Sequence, residues 1–195
     1  MINLFPVRHY LKLFAAGTLA LLAGHVFAAT PLPLAELAKP GRVLILRHAV
    51  APGVGDPSNF RLGDCTTQRN LDATGRQQAA VLGQRLAQAG ITRARVYSSQ
   101  WCRTLETARL LNLGTVTELP ALNSFFELTD TRDANISALR RFLAALPVDG
   151  PPVVLVTHQV TISAITGNYV SSGSGTILRL DGTMTPMGVG EIMAD

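Results

Sequence analysis

Several features that would mark a function are scarce in this 195-residue chain. Charged residues make up 15% of it and aromatic residues 6%, with a single tryptophan. Single-stranded nucleic acid needs rows of aromatic platforms, which this composition does not supply. The formal net charge of +4 is too small to indicate DNA binding. Histidine, cysteine and carboxylate residues show no metal-ligand spacing. We therefore expect no nucleic-acid partner, no bound metal and no cofactor.

Long apolar segments are also scarce, and the one present lies near the N-terminus. Positive residues precede an apolar run over residues 13–23, and the small or mid-sized residues Val26 and Ala28 follow it. This order is typical of a secretory signal peptide, here over residues 1–28. The run is short for a membrane span, and an uncleaved anchor or an ordinary core helix is the alternative.

Export would place the mature chain in the periplasm, with no transmembrane segment after cleavage. Residues 29–41 then form a leader. Residues 42–195 form a single domain, because the chain is too short for two domains of ordinary size. Cys65 and Cys102 are an even pair that can form a disulfide in an oxidising compartment, and two unpaired thiols are the alternative. The oligomeric state stays open.

From Arg42 onward, short apolar runs alternate with helical patterns. Strands are predicted at residues 43–46, 95–98, 116–119, 153–157, 176–180 and 187–193. Helices are predicted from a cap at Asp72 or Thr74 to Ala89, and at residues 103–112, 135–146 and 160–165. The continuous apolar runs are typical of strands buried on both faces. The alternation predicts an α/β fold, a three-layer α/β/α sandwich with a mostly parallel central sheet.

Polar residues that suit phosphate chemistry follow three of these strands. Arg47 and His48 follow the first, Arg103 begins the helix after the second, and His158 follows the strand at residues 153–157. Active sites of such sheets lie beyond the carboxyl ends of the strands. Arginine binds phosphate oxygens through paired N–H groups, and a neutral imidazole can attack phosphorus. The four side chains therefore predict a phosphoryl-transfer site, to which the dipole of the helix that carries Arg103 contributes.

Four segments resemble the histidine phosphatase superfamily, the phosphoglycerate mutase-like proteins, and they occur in that family's order. They are LRHA at residues 46–49, NLDATGRQQA at 70–79, VYSSQWCRTLETA at 96–108 and VVLVTH at 153–158. The Arg-His-Ala opening is similar to the small phosphatases of the family. The resemblance implies the same sandwich fold, His48 as the phosphorylated nucleophile, and a phosphate pocket of Arg47, Arg103 and His158.

The proton donor for the leaving group is less clearly marked. Mutase-like members of the family carry a Glu after the third strand, and Glu127 lies a few positions late for it. The acid phosphatase branch uses an Asp after the second His, where this chain has Gln159. Asp64, in the long loop after His48, is another candidate, although we expect it to cap a turn. Arg61 and Arg69 in that loop are candidates for binding a second anionic group.

These residues favour a metal-independent phosphomonoester hydrolase. Its expected substrate is a phosphorylated small molecule or an envelope sugar. A catalytically inactive relative that binds phosphorylated ligands, and a phosphoglycerate-type mutase, are the alternatives. Trp101, Phe125 and Phe126 are candidates for an apolar wall of the site, and core packing is the expectation for the two phenylalanines.

Overall fold

The computed structural model of the protein describes residue 1 and residues 31–193, so the predicted signal peptide and cleavage site lie outside the described residues. Within residues 31–193 the strands are β1 Arg42–Arg47, β2 Arg95–Ser98, β3 Val116–Glu118, β4 Val153–Thr157, β5 Gly175–Arg179 and β6 Met187–Ile192. The helices of the same range are α1 Ala73–Gln88, α2 Cys102–Leu110, α3 Arg132–Ala144 and α4 Gln159–Thr166. Short 3-10 turns occupy Leu34–Ala38, Cys65–Thr67, Pro120–Leu122 and Thr129–Thr131.

One sheet joins all six strands in the order β3-β2-β4-β1-β5-β6. Strands β3, β2, β4 and β1 run parallel, whereas β5 pairs antiparallel with both β1 and β6. The sheet is therefore mixed, with a parallel half that contains the two continuous apolar runs. The predicted three-layer sandwich with a mostly parallel sheet is confirmed.

Side chains that alternate along β1 enter two separate cores, one on each face of the sheet. One core contains Leu44, Leu46, Leu82 and Leu86, and the other contains Val43, Ile45, Leu139 and Ile162. Helices α1 and α2 thus cover one face, and α3 and α4 cover the other. This double burial explains why β1 and β4 are apolar throughout.

Helix α1 begins at the earlier of its two predicted caps. The Asp72 carboxylate accepts a 2.7 Å hydrogen bond from the Gly75 N–H group. A Cβ atom at residue 75 would lie 2.0 Å from the carbonyl oxygen of Val50, so only glycine lets the helix approach this backbone. The first turn of α1 therefore supports the segment that directly follows His48.

The described part of the expected leader packs onto the domain. Leu37 is fully buried in the core, and Arg42 donates a 3.0 Å hydrogen bond to Glu36. The Leu32 N–H group also donates to the carbonyl of Glu191, at 2.8 Å. Residues 31–41 are thus structurally part of the folded unit. Within residues 31–193, no helix is both long enough and apolar enough to cross a membrane.

Candidate active site

The carboxyl ends of three parallel strands bring the predicted phosphate-handling residues together. The His48 N–H group donates to the Thr157 carbonyl at 3.0 Å, which joins the ends of β1 and β4. The rings of His48 and His158 consequently lie 5.6 Å apart between their centroids. A cavity of about 330 Å³ opens here, and Arg47, His48, Arg103 and His158 all line it. Neighbouring parallel strands therefore produce the cluster that the sequence predicts.

His48 is almost completely buried, and one ring nitrogen is already engaged. Its Nδ1 lies 2.7 Å from the carbonyl oxygen of Ala49. Because a carbonyl can only accept, we assign the ring proton to Nδ1, which leaves the lone pair on Nε2. The pKa of His48 is lowered to about 3, chiefly by burial. The hydrogen bond to Ala49 acts to raise this pKa, whereas the charges of Arg103, Arg69 and Arg47 lower it further. The imidazole is therefore neutral around pH 7, as a nucleophile must be.

Arg47 uses one end of its guanidinium group to hold a neighbouring loop. Its Nη1 donates to the Val170 carbonyl at 3.0 Å and to the Tyr169 hydroxyl at 3.4 Å. Its Nε is buried and has no hydrogen-bond partner. A buried donor without a partner is costly, and its need for an acceptor suits an anionic ligand in the cavity.

Arg103 is held by a carboxylate that the sequence did not single out. Its Nη1 and Nη2 donate to Asp56 Oδ1 at 2.7 Å and Oδ2 at 3.1 Å, and Nη1 also donates to the Arg69 carbonyl at 3.2 Å. The buried Nε of Arg103 has no partner, as in Arg47. Asp56 thus occupies the end of the guanidinium group and leaves the edge that contains Nε for another acceptor.

Asp56 also organises the loop around it. Its Oδ1 accepts from the Arg69 N–H group at 3.0 Å, and its Oδ2 accepts from Trp101 Nε1 at 3.0 Å. Burial by itself would raise the pKa of Asp56, but the hydrogen bonds from Arg103 and Arg69 and the charge of Arg103 lower it below the ordinary value. Asp56 is therefore an ionised carboxylate on the cavity wall. The only sequence signal for it was its place in a long loop of the kind that is usually functional.

Arg69 reaches the cavity, as the sequence suggested, but its side chain is largely engaged by the loop. Its Nε donates to the Gly55 carbonyl at 2.8 Å, and its Nη1 contacts the carbonyl of Ala51. Burial lowers the pKa of Arg69, and the nearby charge of Arg103 lowers it further. Even so, a guanidinium keeps its proton at neutral pH. Arg69 therefore adds positive charge to the cavity while it fastens the loop.

His158 lies opposite His48 and bonds to a serine. Its Nε2 is 2.8 Å from Ser99 Oγ, and its ring packs edge-on against Trp101 at a centroid distance of 5.3 Å. Burial, followed by the charges of Arg103 and His48, lowers its pKa well below the ordinary histidine value. His158 is therefore neutral in this cavity and can act as an N–H donor.

The remaining loop candidates lie in different places. Glu127 is exposed and lines the cavity, with its carboxylate against Gly55. Arg61 is exposed and does not line the cavity, so its side chain does not contribute to this arrangement. Asp64 caps a 3-10 turn by accepting from Thr66 N at 3.1 Å and Oγ1 at 2.7 Å, which confirms its expected capping role.

Aromatic side chains form part of the cavity wall. Trp101 stacks on Phe60 at a centroid distance of 5.0 Å. Phe125 is buried, as expected, whereas Phe126 is 55% exposed and lines the cavity. Core packing was therefore the wrong expectation for Phe126. Its neighbours in the sequence gave no local signal, because the direction of a loop side chain depends on the fold around it.

Cys65 and Cys102 form a disulfide bond that ties the long loop to the first residue of α2. The N–H group of Cys102 donates to the Gln68 side chain at 2.9 Å, so this loop also caps the helix. The helix end that carries Arg103 is thus held covalently and by a hydrogen bond. Within residues 31–193, no group of three or more His, Cys, Asp or Glu side chains is placed to hold a metal ion.

Comparison with known protein families gives one match. A family model described as histidine phosphatase superfamily (branch 1) matches residues 43–129, a range that includes both His48 and Arg103. This match agrees with the superfamily that the sequence motifs resemble. No curated protein matches the chain.

Solved structures share the fold at low sequence identity. A protein histidine phosphatase SixA complexed with tungstate has a TM-score of 0.59 and 16% identity, over 78% of this chain and 97% of its own. A SixA protein from Nakamurella multipartitia has a TM-score of 0.58 and 18% identity, over 80% and 98%. A phosphoglycerate mutase from Thermus thermophilus has a TM-score of 0.54 and 17% identity, over 79% and 99%. At such identities the likeness describes the fold, and the superfamily contains both phosphatases and mutases.

Proposed function

We propose that this protein hydrolyses phosphate monoesters without a metal ion, through a phosphohistidine formed on His48. The observation that carries the proposal is the free Nε2 of a buried, neutral His48 in a cavity lined by Arg47, Arg69 and Arg103. A neutral imidazole has the lone pair that attack on phosphorus requires. The surrounding arginines supply the positive charge that stabilises the transferred group.

The two unpartnered Nε groups explain how the phosphoryl group would bind. Arg47 and Arg103 each have a buried Nε without a partner, while other nitrogens of the same groups are occupied by protein acceptors. Each arginine then presents a free edge that can donate to non-transferring oxygens. His158 adds a neutral N–H donor. The solved SixA protein of similar fold is complexed with tungstate, an oxyanion like phosphate, and this supports oxyanion binding by the present protein.

The reaction follows from these positions. His48 Nε2 attacks phosphorus, a P–N bond forms, and the P–O bond to the leaving group breaks. The leaving oxygen takes a proton, and we propose Glu127 as its donor because this carboxylate lines the cavity. Water then attacks the phosphohistidine and gives up a proton to Glu127, the P–N bond breaks, and orthophosphate leaves with His48 and Glu127 restored. Asp56 remains bound to Arg103 throughout and keeps its free edge oriented.

We also propose that the protein works outside the cytoplasm. The charged-apolar-small order of residues 1–28 supports export to the periplasm. The disulfide between Cys65 and Cys102 supports the same compartment, because disulfides persist where the environment is oxidising.

Hydrolysis of p-nitrophenyl phosphate by the chain from Ala29 onward, with EDTA present, tests the enzymatic proposal. We expect activity that survives EDTA and disappears in His48→Ala. Rapid quenching during turnover should trap one acid-labile phosphoryl group on the peptide that contains His48. Arg179→Ala is the control and should keep its activity, because Arg179 is exposed and pairs with Arg42 at the end of β1 opposite to His48. Loss of activity in EDTA, or full activity in His48→Ala, would contradict the proposal.

Two other outcomes distinguish the alternatives. Tight binding of phosphate esters without turnover would indicate an inactive ligand-binding relative. Transfer of the phosphoryl group to a second hydroxyl of the same molecule, instead of to water, would indicate a mutase.

A further inference from the structure

Exposed apolar side chains concentrate at the mouth of the cavity. Within residues 31–193, nine large apolar side chains are exposed, and four of them, Val54, Phe126, Leu128 and Tyr169, line this cavity. They come from three separate segments of the chain, so the cluster is produced by the tertiary fold. We call these four residues the apolar rim. Exposed apolar side chains that are gathered around one cavity usually mark a binding site.

The apolar rim is held in place by specific contacts. Tyr169 accepts a 3.4 Å hydrogen bond from Arg47, whose guanidinium carbon lies 5.8 Å from the centre of the Tyr169 ring. The Phe126 N–H group donates to Ser124 Oγ at 3.3 Å. Gln159 accepts from Val170 N–H at 3.1 Å and so fastens the segment that carries Tyr169. The rim residues therefore lie on segments anchored beside the phosphate-binding side chains.

Polar groups that line the same cavity are mostly engaged within the protein. The Gln159 amide donates to Ser163 Oγ at 2.9 Å as well as accepting from Val170. Asp56 is saturated by Arg103, Trp101 and the Arg69 backbone. Among the described lining residues, this leaves Glu127 as the free carboxylate. A polyhydroxyl leaving group would find few partners here, and unpaired hydroxyl groups are costly to bury.

We propose that the substrates are phosphate monoesters whose leaving group is an apolar chain or ring that packs on the apolar rim. This proposal rests on the proposed function and deepens it. The phosphoryl group lies among Arg47, His48 and Arg103, and the leaving group extends outward past Phe126 and Tyr169. The apolar rim therefore favours phosphate esters of an apolar alcohol or phenol over the sugar phosphates that the sequence left open as substrates.

A series of straight-chain alkyl phosphates tests the proposal, because the leaving groups differ in apolar length and hardly in acidity. We expect kcat/KM to rise about two- to threefold for each added methylene from ethyl to octyl phosphate, below the about fourfold expected for complete burial. Glycerol phosphate and glucose 6-phosphate should be poorer substrates than butyl phosphate. A flat series, or a preference for the sugar phosphate, would overturn the inference.

Two substitutions distinguish a specific effect of the apolar rim from a general effect of losing an exposed apolar side chain. Phe126→Ser should reduce the ratio of octyl to ethyl phosphate kcat/KM by about tenfold, since it removes much of the packing surface. Met184→Ser is the matched control, because Met184 is also 55% exposed but does not line the cavity. It should leave that ratio unchanged. An equal effect of both substitutions would contradict a specific rim.

Binding of non-hydrolysable alkylphosphonates keeps the test independent of turnover. Trp101 is the single tryptophan and lines the cavity, so its fluorescence reports ligands there. We expect affinity to rise with chain length in wild type and to lose this dependence in Phe126→Ser.

If wild type hydrolyses p-nitrophenyl phosphate but shows no chain-length dependence in either assay, the leaving-group inference fails alone. If affinity rises with length and no ester is hydrolysed, the proposed hydrolysis fails and the rim stands. If alkylphosphonate affinity does not depend on chain length, the inference is overturned, and the apolar rim would instead be a contact surface for another macromolecule.

Discussion

The Asp56 carboxylate holds the Arg103 guanidinium group with two hydrogen bonds, Oδ1 to Nη1 at 2.7 Å and Oδ2 to Nη2 at 3.1 Å. The Arg103 and Asp56 side chains are only 4% and 6% exposed. An anion is thus already bound to an arginine that we propose as a phosphate ligand. The bond leaves the Nε edge of Arg103 free, so it orients this arginine and need not compete with substrate.

Asp56→Asn should impair catalysis more than binding. The substitution removes the charge partner of Arg103 and lets its guanidinium group shift, which we expect to lower kcat by about tenfold to a hundredfold. The cavity becomes more positive, so KM for a phosphate ester should not rise. Loss of one partner of a buried pair should also lower the free energy of unfolding by about 3 kcal/mol. Steady-state kinetics and urea unfolding measure the two effects.

Asp64→Asn is the control for this change. Asp64 lies in the same loop but caps a 3-10 turn, and asparagine caps almost as well. We expect near-normal kcat and stability for it. An unchanged kcat in Asp56→Asn would show that Arg103 needs no such support.

Acidification should destabilise the protein through its two buried histidines. Their pKa values are lowered, to about 3 for His48 and well below the ordinary value for His158, whereas both titrate near pH 6.5 when unfolded. The unfolded chain then binds more protons, so this stability is fully present above about pH 6.5 and is lost as the pH falls towards about 3. Each histidine should contribute a slope of about 1.4 kcal/mol per pH unit.

Urea unfolding between about pH 7.5 and about pH 4.5 measures this slope. His48→Gln, which cannot titrate in this range, should show a slope shallower by the contribution of one histidine. Identical slopes in wild type and variant would contradict a lowered pKa at His48.

Removal of the disulfide should loosen the loop that carries Asp56. Cys65 and Cys102 are separated by 37 residues, and cross-linking a loop of that length stabilises a protein by about 3 to 4 kcal/mol in the chain-entropy description. Reductant should therefore lower Tm and kcat/KM in wild type. The double variant Cys65→Ser with Cys102→Ser should start from the lower Tm and not respond to reductant. Two free thiols in the denatured, unreduced protein would rule out the bond.

Glu127→Gln tests the proposed proton donor. An alkyl leaving group needs protonation far more than an aryl one, so the variant should slow alkyl phosphates about tenfold to a hundredfold more than p-nitrophenyl phosphate. Asp130→Asn, an exposed carboxylate nearby that does not line the cavity, should slow neither class. Equal slowing of both classes by Glu127→Gln would remove Glu127 from this role.

Much of the architecture could be predicted because it depends on local patterns. Each of the six strands and four α-helices that the sequence indicated has a counterpart within the described residues, with ends that differ by a few residues. Element ends depend on capping contacts from distant segments, such as Gln68 on the first residue of α2. Arg47, His48 and His158 could be placed together because parallel strands end at the same edge.

Less could be predicted about the long loop, where no periodic pattern acts. Asp56 and Asp64 are chemically identical in the sequence, yet one binds Arg103 and the other caps a turn. Arg61 and Arg69 were both candidates for binding an anionic group, with Arg69 favoured by its place before the start of α1, and only Arg69 lines the cavity.

The sequence by itself determined the layered sheet, the order of its elements and the phosphate-handling side chains after its strands, because apolar periodicity and strand ends are local properties. Only the tertiary structure decided that Asp56 holds Arg103, that burial keeps both histidines neutral, and that Phe126 and Tyr169 line the same cavity. These relationships join segments far apart in the chain, and their geometry depends on how the loops pack over the sheet.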